Sequence, residues 1–390
     1  MRASLALIGA AVLIAAGAAR AGAPAKHVRV SGFRAALPDG LTLVLSYWRL
    51  DVERGKLRAP IEVRADSGLT SFEVRLGPAD GSVVATITDN CDERHVVNLT
   101  IAGLEARLEN AAALALHRQR RWSESAAGFA RALARDPTFD VAATNLASAQ
   151  VMAGKADDAV KTIAPLLARK PVAAYARLVS DPELTPLLGR PEVATLRTPA
   201  PGTARLTMTA TSVDINGFAV SSRYRVVAAV HSESSWGVCA STGELVLLDL
   251  QGGEVARLPL YSTTADEEHD CPIAKSERPR VAARVAAAQR LLTDLGFSPA
   301  GERGQVDTEF ASTRARFPRA KIGLVIGQQR VRALRGNREL GAAPVRGEHI
   351  EAATFLDGYD AIVFEWEREG REGCQGTDPR GIQVLPIKIP

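Results

Sequence analysis

The sequence predicts a multidomain chain: an all-β N-terminal domain, an α-helical array, and an α+β C-terminal domain. Three observations predict it. Apolar residues alternate with polar ones from His27 to Ile101, recur at helical spacing from Leu104 to about Arg197, and return to mostly strand-like alternation beyond Ala204. The chain has 390 residues, more than one ordinary core absorbs. Apolar residues make up 46% and charged residues 24%, the balance of a folded soluble protein. The net charge of +4 is a mild arginine excess, which supports neither nucleic acid nor an anionic membrane surface as a partner.

Before the first strand, Arg2 precedes an uncharged run from Leu5 to Ala19, followed by Ala19-Arg20-Ala21 and Gly22. A positive start, a short apolar stretch and small residues at −3 and −1 predict a signal peptide over residues 1–21, cleaved after Ala21. The run is too short and alanine-rich for a spanning helix, which needs about 20 apolar residues. Cleavage leaves 390 − 21 = 369 residues and, by removing Arg2 and Arg20, a net charge of +2. Export to a periplasmic or extracellular compartment makes disulfides of Cys91, Cys239, Cys271 and Cys374 the expectation. Four cysteines allow three pairings. Cys239 with Cys271 is the first to expect because both lie in one β-rich segment, leaving Cys91 for Cys374. None sits in a C-x-x-C pair, which gives zinc or thioredoxin-like chemistry little support.

Residues 27–102 read as a small sandwich-like domain. "LTLVLSYWRLD", "IEVRAD", "TSFEVRLGPADGSVVATITD" and "HVVNLTI" alternate and are separated by Gly, Pro and Asp. "PADGS", Pro78 to Ser82, carries a hairpin Asp-Gly. Helical spacing then holds over 104–197, and "TPAPGTA", Thr198 to Ala204, reads as a linker. Strands return over 204–390, with "LQGGEV" placing Gly252 and Gly253 in a two-residue hairpin turn. One amphipathic helix interrupts them, from about Pro279 to Leu295, striped by Val281, Val285, Leu291 and Leu295 and stopped by Gly296.

The helical part repeats itself. "RWSESAAGFARALARDP" at Arg121 to Pro137 returns as "KADDAVKTIAPLLARKP" at Lys155 to Pro171, an offset of 155 − 121 = 34 residues. Small residues align with small ones, Ala113 with Ala147 and Ser125 with Ala159, and bulky Leu116, Trp122, Phe129, Leu146 and Ile163 stand beside them. A small side chain lets two helices approach, the bulky ones fill the groove, and proline stops the second helix. Over Ala106 to Pro171 the pattern resembles the tetratricopeptide repeat (TPR) family. Arg120 stands where that family has the glycine that Gly154 supplies in the second copy. The next segment, with "DPEL" and "GRPEV", looks like a terminal cap.

The resemblance implies a groove formed by the first helix of each repeat, holding another protein or a peptide. Position by position, that face carries Arg107, Asn110, Leu114, His117 and Arg118 in the first copy. In the second it carries Val141, Thr144, Asn145, Ser148 and Met152. Arginine and asparagine there offer paired donors to a carboxylate or to backbone amides.

Signals for chemistry are sparse. "RQRRW", Arg118 to Trp122, reads as a solvated basic turn. "DEEHDC", Asp266 to Cys271, gathers carboxylates around His269 without calcium-loop spacing or a second histidine. His231 with Ser234 or Cys239 lacks a third orienting group, and no nucleophile elbow or phosphate loop occurs. "NLT" at Asn98 fits a glycosylation acceptor in a eukaryotic host. No cofactor, metal or catalytic residue is expected. The expectation is an exported, non-catalytic, protein-binding scaffold with no membrane span after cleavage. The competing expectation is a cell-envelope enzyme or metal-binding protein with its site at Glu267, His269 and Asp270.

Overall fold

The computed structural model describes residues 26–63, 68–77, 81–90, 92–215, 217–235, 240–264, 273–306, 313–327, 329–345, 347–367 and 380–389. The expected signal peptide, the four cysteines, Asp80 of the first hairpin and the "DEEHDC" cluster lie outside them.

The N-terminal strands are β1 (Lys26–Val28), β2 (Val30–Ser31), β3 (Arg34–Ala36), β4 (Thr42–Ser46), β5 (Arg49–Arg54), β6 (Leu57–Ile61), β7 (Leu69–Leu76), β8 (Ser82–Asp89) and β9 (Arg94–Thr100). Among the described residues they form two antiparallel sheets, ordered β1-β7-β8-β9 and β2-β3-β4-β5-β6. Period-2 alternation sends Val83, Ala85 and Ile87 of β8 to one side, where they meet Leu43, Leu45, Leu50, Val52 and Ile61 of the other sheet. Leu104 and Leu108 of the first helix complete this core. Burying those two leucines contributes about 1.5–3 kcal/mol each. The β-domain therefore ends inside a helix, not at a linker.

The helices are α1 (Ile101–Arg118), α2 (Trp122–Arg135), α3 (Asp140–Met152), α4 (Ala156–Arg169), α5 (Pro171–Ser180) and the short α6 (Pro191–Ala194). Thr100 caps α1, its hydroxyl oxygen accepting from the Gly103 amide at 2.9 Å. Packing within the array follows the small residues: Ala113, Ser125, Ala147 and Ala159 are all 0–1% exposed. Gly128 marks a close approach of α2 to α1, since a Cβ there would stand 2.7 Å from the Ala113 Cβ. Phe129, Leu146 and Ile163 are buried, while Leu116 and Trp122 are half-buried. Both inter-helix turns need a left-handed residue, Gly154 at φ +77° in one and Arg120 at φ +60° in the other. Arg120 adopts the conformation without glycine's freedom.

The C-terminal elements are β10 (Thr207–Met208), β11 (Val213–Asp214), β12 (Ala219–Ser221), β13 (Val226–Ser235), β14 (Ala240–Asp249), β15 (Glu254–Thr264), α7 (Arg278–Asp294), β16 (Phe297–Pro299), β17 (Glu302–Arg303), β18 (Gln305–Val306), β19 (Arg314–Phe317), β20 (Ile322–Gly327), β21 (Arg330–Arg335), β22 (Arg338–Pro344), β23 (His349–Leu356), β24 (Ala361–Glu367) and β25 (Arg380–Pro386). The described strands make a short β10-β11 pair and three larger sheets, ordered β15-β14-β13-β12-β16, β17-β23-β24-β25 and β18-β19-β20-β21-β22. The larger sheets stack. Leu245, Leu247, Leu258 and Leu260 meet α5 and α7 on one face of the first sheet, while Val227, Ala229, Val246 and Leu248 meet the second sheet on the other. In β24, Ala361 and Val363 face the first sheet and Ile362, Phe364 and Trp366 face the third. The result is a helical layer over three sheets, α/β/β/β.

Two local expectations need correction. Gly252 and Gly253 do not form a two-residue turn; β14 and β15 are joined by four residues, Leu250 to Gly253. Asp249 organises that loop, its Oδ1 accepting from the amides of Gln251 at 2.9 Å and Gly253 at 2.7 Å. Likewise "TPAPGTA" is not a free linker. The amides of Thr198 and Gly202 donate to the carbonyls of Asp294 (2.8 Å) and Thr293 (2.7 Å), and that of Ala204 to Phe297 (2.9 Å). Gly202 is there for close approach: a Cβ would lie 2.3 Å from the Leu292 carbonyl oxygen. The array and the first C-terminal sheet consequently share one core, containing Ile163, Leu178, Leu188, Leu247 and Leu291.

Candidate functional site

The residues named from the repeat lie along α1 and α3, and their surroundings differ. Arg107 is half-buried, with its guanidinium 4.9 Å from the Phe139 ring centroid. Burial pulls its pKa below the usual arginine value, opposed by the charges of Asp136 and Glu62. Asn145 donates its amide to the Asn110 side-chain oxygen at 2.9 Å, joining the two helices directly. Leu114 packs against the small core of Ala113, Phe129, Leu146 and Ala149. Thr144 turns its hydroxyl to the Val141 carbonyl at 3.0 Å. Arg118, Val141 and Met152 are exposed, the last two by 39% and 40%.

His117 and Ser148 converge on a residue that helical spacing did not single out. Glu183, in the turn after α5, accepts from His117 Nε2 at 2.8 Å on its Oε2, and the same oxygen accepts from the Ser148 hydroxyl. The His117 ring is held edge-on by Trp122 at 4.7 Å and Phe129 at 6.0 Å between centroids. Its buried Nδ1 has no hydrogen-bond partner among the described residues. Serine, histidine and a carboxylate meet here, but not in a nucleophile's order. Activation needs the imidazole between hydroxyl and carboxylate, whereas both donors here end on one oxygen. This is a latch that ties the terminal cap to α1 and α3. Beside it, burial raises the Asp181 carboxyl above the usual aspartate value, Glu183 adds to the rise, and the Glu183 amide, Arg177 and His117 oppose it.

A second tie lies at the base of the array. Tyr175, wholly buried in α5, donates its hydroxyl to Asp294 at the end of α7 and accepts from Arg197 Nε at 3.3 Å. Burial, reinforced by the hydrogen bond to Asp294, pushes the phenol up to about 12.

Other chemistry candidates resolve as follows. His231 is buried in β13, opposite Glu244, while Cys239 and the Ser234 side chain lie outside the described residues, as do Glu267, His269 and Asp270. Asp89, Glu93 and His95 bring ligand-type atoms within 4.8 Å of one another. Asp89 uses both oxygens locally, Oδ1 on the Glu93 amide at 2.9 Å and Oδ2 on His95 Nε2 at 3.0 Å, which closes the turn between β8 and β9. Phe33, Tyr47 and Trp48 are more than half exposed at neighbouring hairpin tips, a feature the alternation of "SYWR" hid by reading as plain strand. No helix among the described residues is long and apolar enough to cross a membrane.

Residues 116–181 match a family model described as tetratricopeptide repeat. The match runs from the last turn of α1 through α5, so it takes in the helix after Pro171 that the sequence reading assigned to the cap. No curated protein and no solved structure matches the chain. The β-rich parts on either side match no family, and the chain carries a TPR-like helical region between them.

Proposed function

We propose that this is an exported, non-catalytic scaffold whose TPR-like array holds another protein. The observation that carries the reading is the TPR match over a region folded as successive helical hairpins at a 34-residue interval. TPR hairpins are protein-binding modules in general. Two further features favour docking over chemistry: the seam residues bond to one another, and the acid latch lacks a nucleophile's geometry. Arg118, Val141 and Met152 remain as the accessible part of the α1–α3 face. Arg107 is taken up by the Phe139 ring instead.

The test is an in-cell affinity purification comparing wild type with an Arg118→Glu, Met152→Asp double variant of unchanged melting temperature. A partner retained by wild type and lost from the variant supports the reading. Identical capture by both removes the α1–α3 face from consideration. Export is tested separately by the N-terminus of the mature protein, expected at Gly22.

A further inference from the structure

A different surface carries an inference of its own, independent of the helical array. The β18–β22 sheet ends the stack, with one face on the core of Phe317, Leu324, Val331 and Phe364 and the other face open. From Thr313 to Val345 the chain holds eight Arg or Lys residues and one acid, Glu339, so 8 − 1 gives +7 within a molecule of net +4. The modest total conceals a concentrated basic segment.

The pleat decides where those charges stand. Ala315, Phe317, Val331 and Ala333 point into the core, which puts Arg314, Arg316, Arg330 and Arg332 on the open side. A cavity of about 850 Å³ lies on this side, with Gly323, Val325 and Leu334 in its floor and Arg314, Arg316, Lys321 and Arg332 around it. No carboxylate lines it among the described residues. Arg330, Arg332 and Lys321 make no ion pair among the described residues, whereas Arg319 pairs with Glu302 and Arg314 and Arg316 also engage other groups of the chain.

Three features select the ligand. Arginine predominates over lysine, and its planar fork matches carboxylate or phosphate with paired hydrogen bonds. Among the described residues the one ring in the lining, Phe317, is turned to the core, so these residues offer bases and sugars no stacking surface. The arginines recur two residues apart in both β19 and β21, roughly 6.7 Å, the repeat of same-side residues in an extended peptide. Their two rows flank β20, two strand spacings or roughly 9.6 Å apart, a channel for one extended chain. We propose that this face binds an extended acidic segment of a partner polypeptide, with carboxylates at alternate positions meeting the arginine rows.

The test is fluorescence anisotropy on the full mature chain with a labelled peptide carrying glutamate at alternate positions. Its glutamine counterpart, a single-stranded oligodeoxynucleotide and phosphatidylglycerol vesicles are run beside it. The acidic peptide should bind, and raising salt from roughly 50 to 300 mM should weaken it about tenfold. Arg330→Glu with Arg332→Glu should cost at least about tenfold in affinity. Gly323→Glu provides the check on folding, because a Cβ there meets nothing within 4 Å, so it brings a carboxylate to the channel without strain. It should compete with the peptide at an unchanged melting temperature. No binding, equal binding of the glutamine peptide, or affinity indifferent to both variants overturns the proposal. Tighter binding of the oligonucleotide or vesicles, lost in the same variants, also overturns it.

Discussion

Replacing Tyr175 by Phe tests how firmly the array is joined to the C-terminal sheets. The substitution keeps the ring in its buried place and deletes only the hydroxyl that donates to Asp294. A hydrogen bond to a charged acceptor contributes about 1.5–3 kcal/mol. Asp294 keeps Arg290 at 3.3 Å and Arg197 at 3.7 Å, so the lower half of that range is expected near neutral pH. The pH dependence is more specific. The folded phenol is raised to about 12 against an ordinary 10.0, so its contribution is complete below pH 10 and is lost as pH rises towards 12. Two pH units correspond to about 2.7 kcal/mol. Urea unfolding of both proteins from pH 8 to pH 12 isolates this group, because every other titration cancels in the difference. The wild-type advantage should shrink steadily above pH 10. A difference that stays constant to pH 12, or a more stable Tyr175→Phe at pH 8, refutes the reasoning.

Three further substitutions probe the array. Arg120→Gly should raise stability by roughly 0.5–1 kcal/mol in thermal melts, because the left-handed turn no longer strains a β-carbon. Gly128→Leu should destabilise by about 2–3 kcal/mol in urea unfolding, since the new side chain starts 2.7 Å from the Ala113 Cβ. Glu183→Ala should cost about 1 kcal/mol in the same assay, since it leaves His117 and Ser148 without their shared acceptor at a partly exposed site.

The parts legible in the sequence were those where local chemistry repeats or punctuates. The helical region announced itself through alanine and serine at a constant interval, and α7 through a proline start, an apolar stripe and a glycine stop. Close helix approach can be met only by small side chains, so residue type alone carried the message. The stacking of the C-terminal sheets was partly written in "AIVF", whose unbroken apolar run suits a strand buried on both faces. Proline and glycine misled at 198–204, where Gly202 supplies close packing and not freedom.

The candidate site was legible in outline only. The resemblance to the repeat family named Asn110, His117, Asn145 and Ser148, which lie on α1 and α3. Glu183 closes a contact spanning 66 residues, and no local rule reveals a long-range acceptor. The basic sheet was spelled out as "RAR" and "RVR" with alternate apolar residues, but a near-neutral total diluted the signal. Charge has to be counted by face.

Position-specific photocrosslinking in the native host addresses the docking role most directly. A photoreactive residue at Met152, on the exposed end of α3, should give one discrete adduct, and the same residue at the exposed Val96 of the N-terminal sheet should not. Adducts at Val96 alone, or none at Met152 while the protein is folded and at its native level, would contradict the array as the surface that holds a partner.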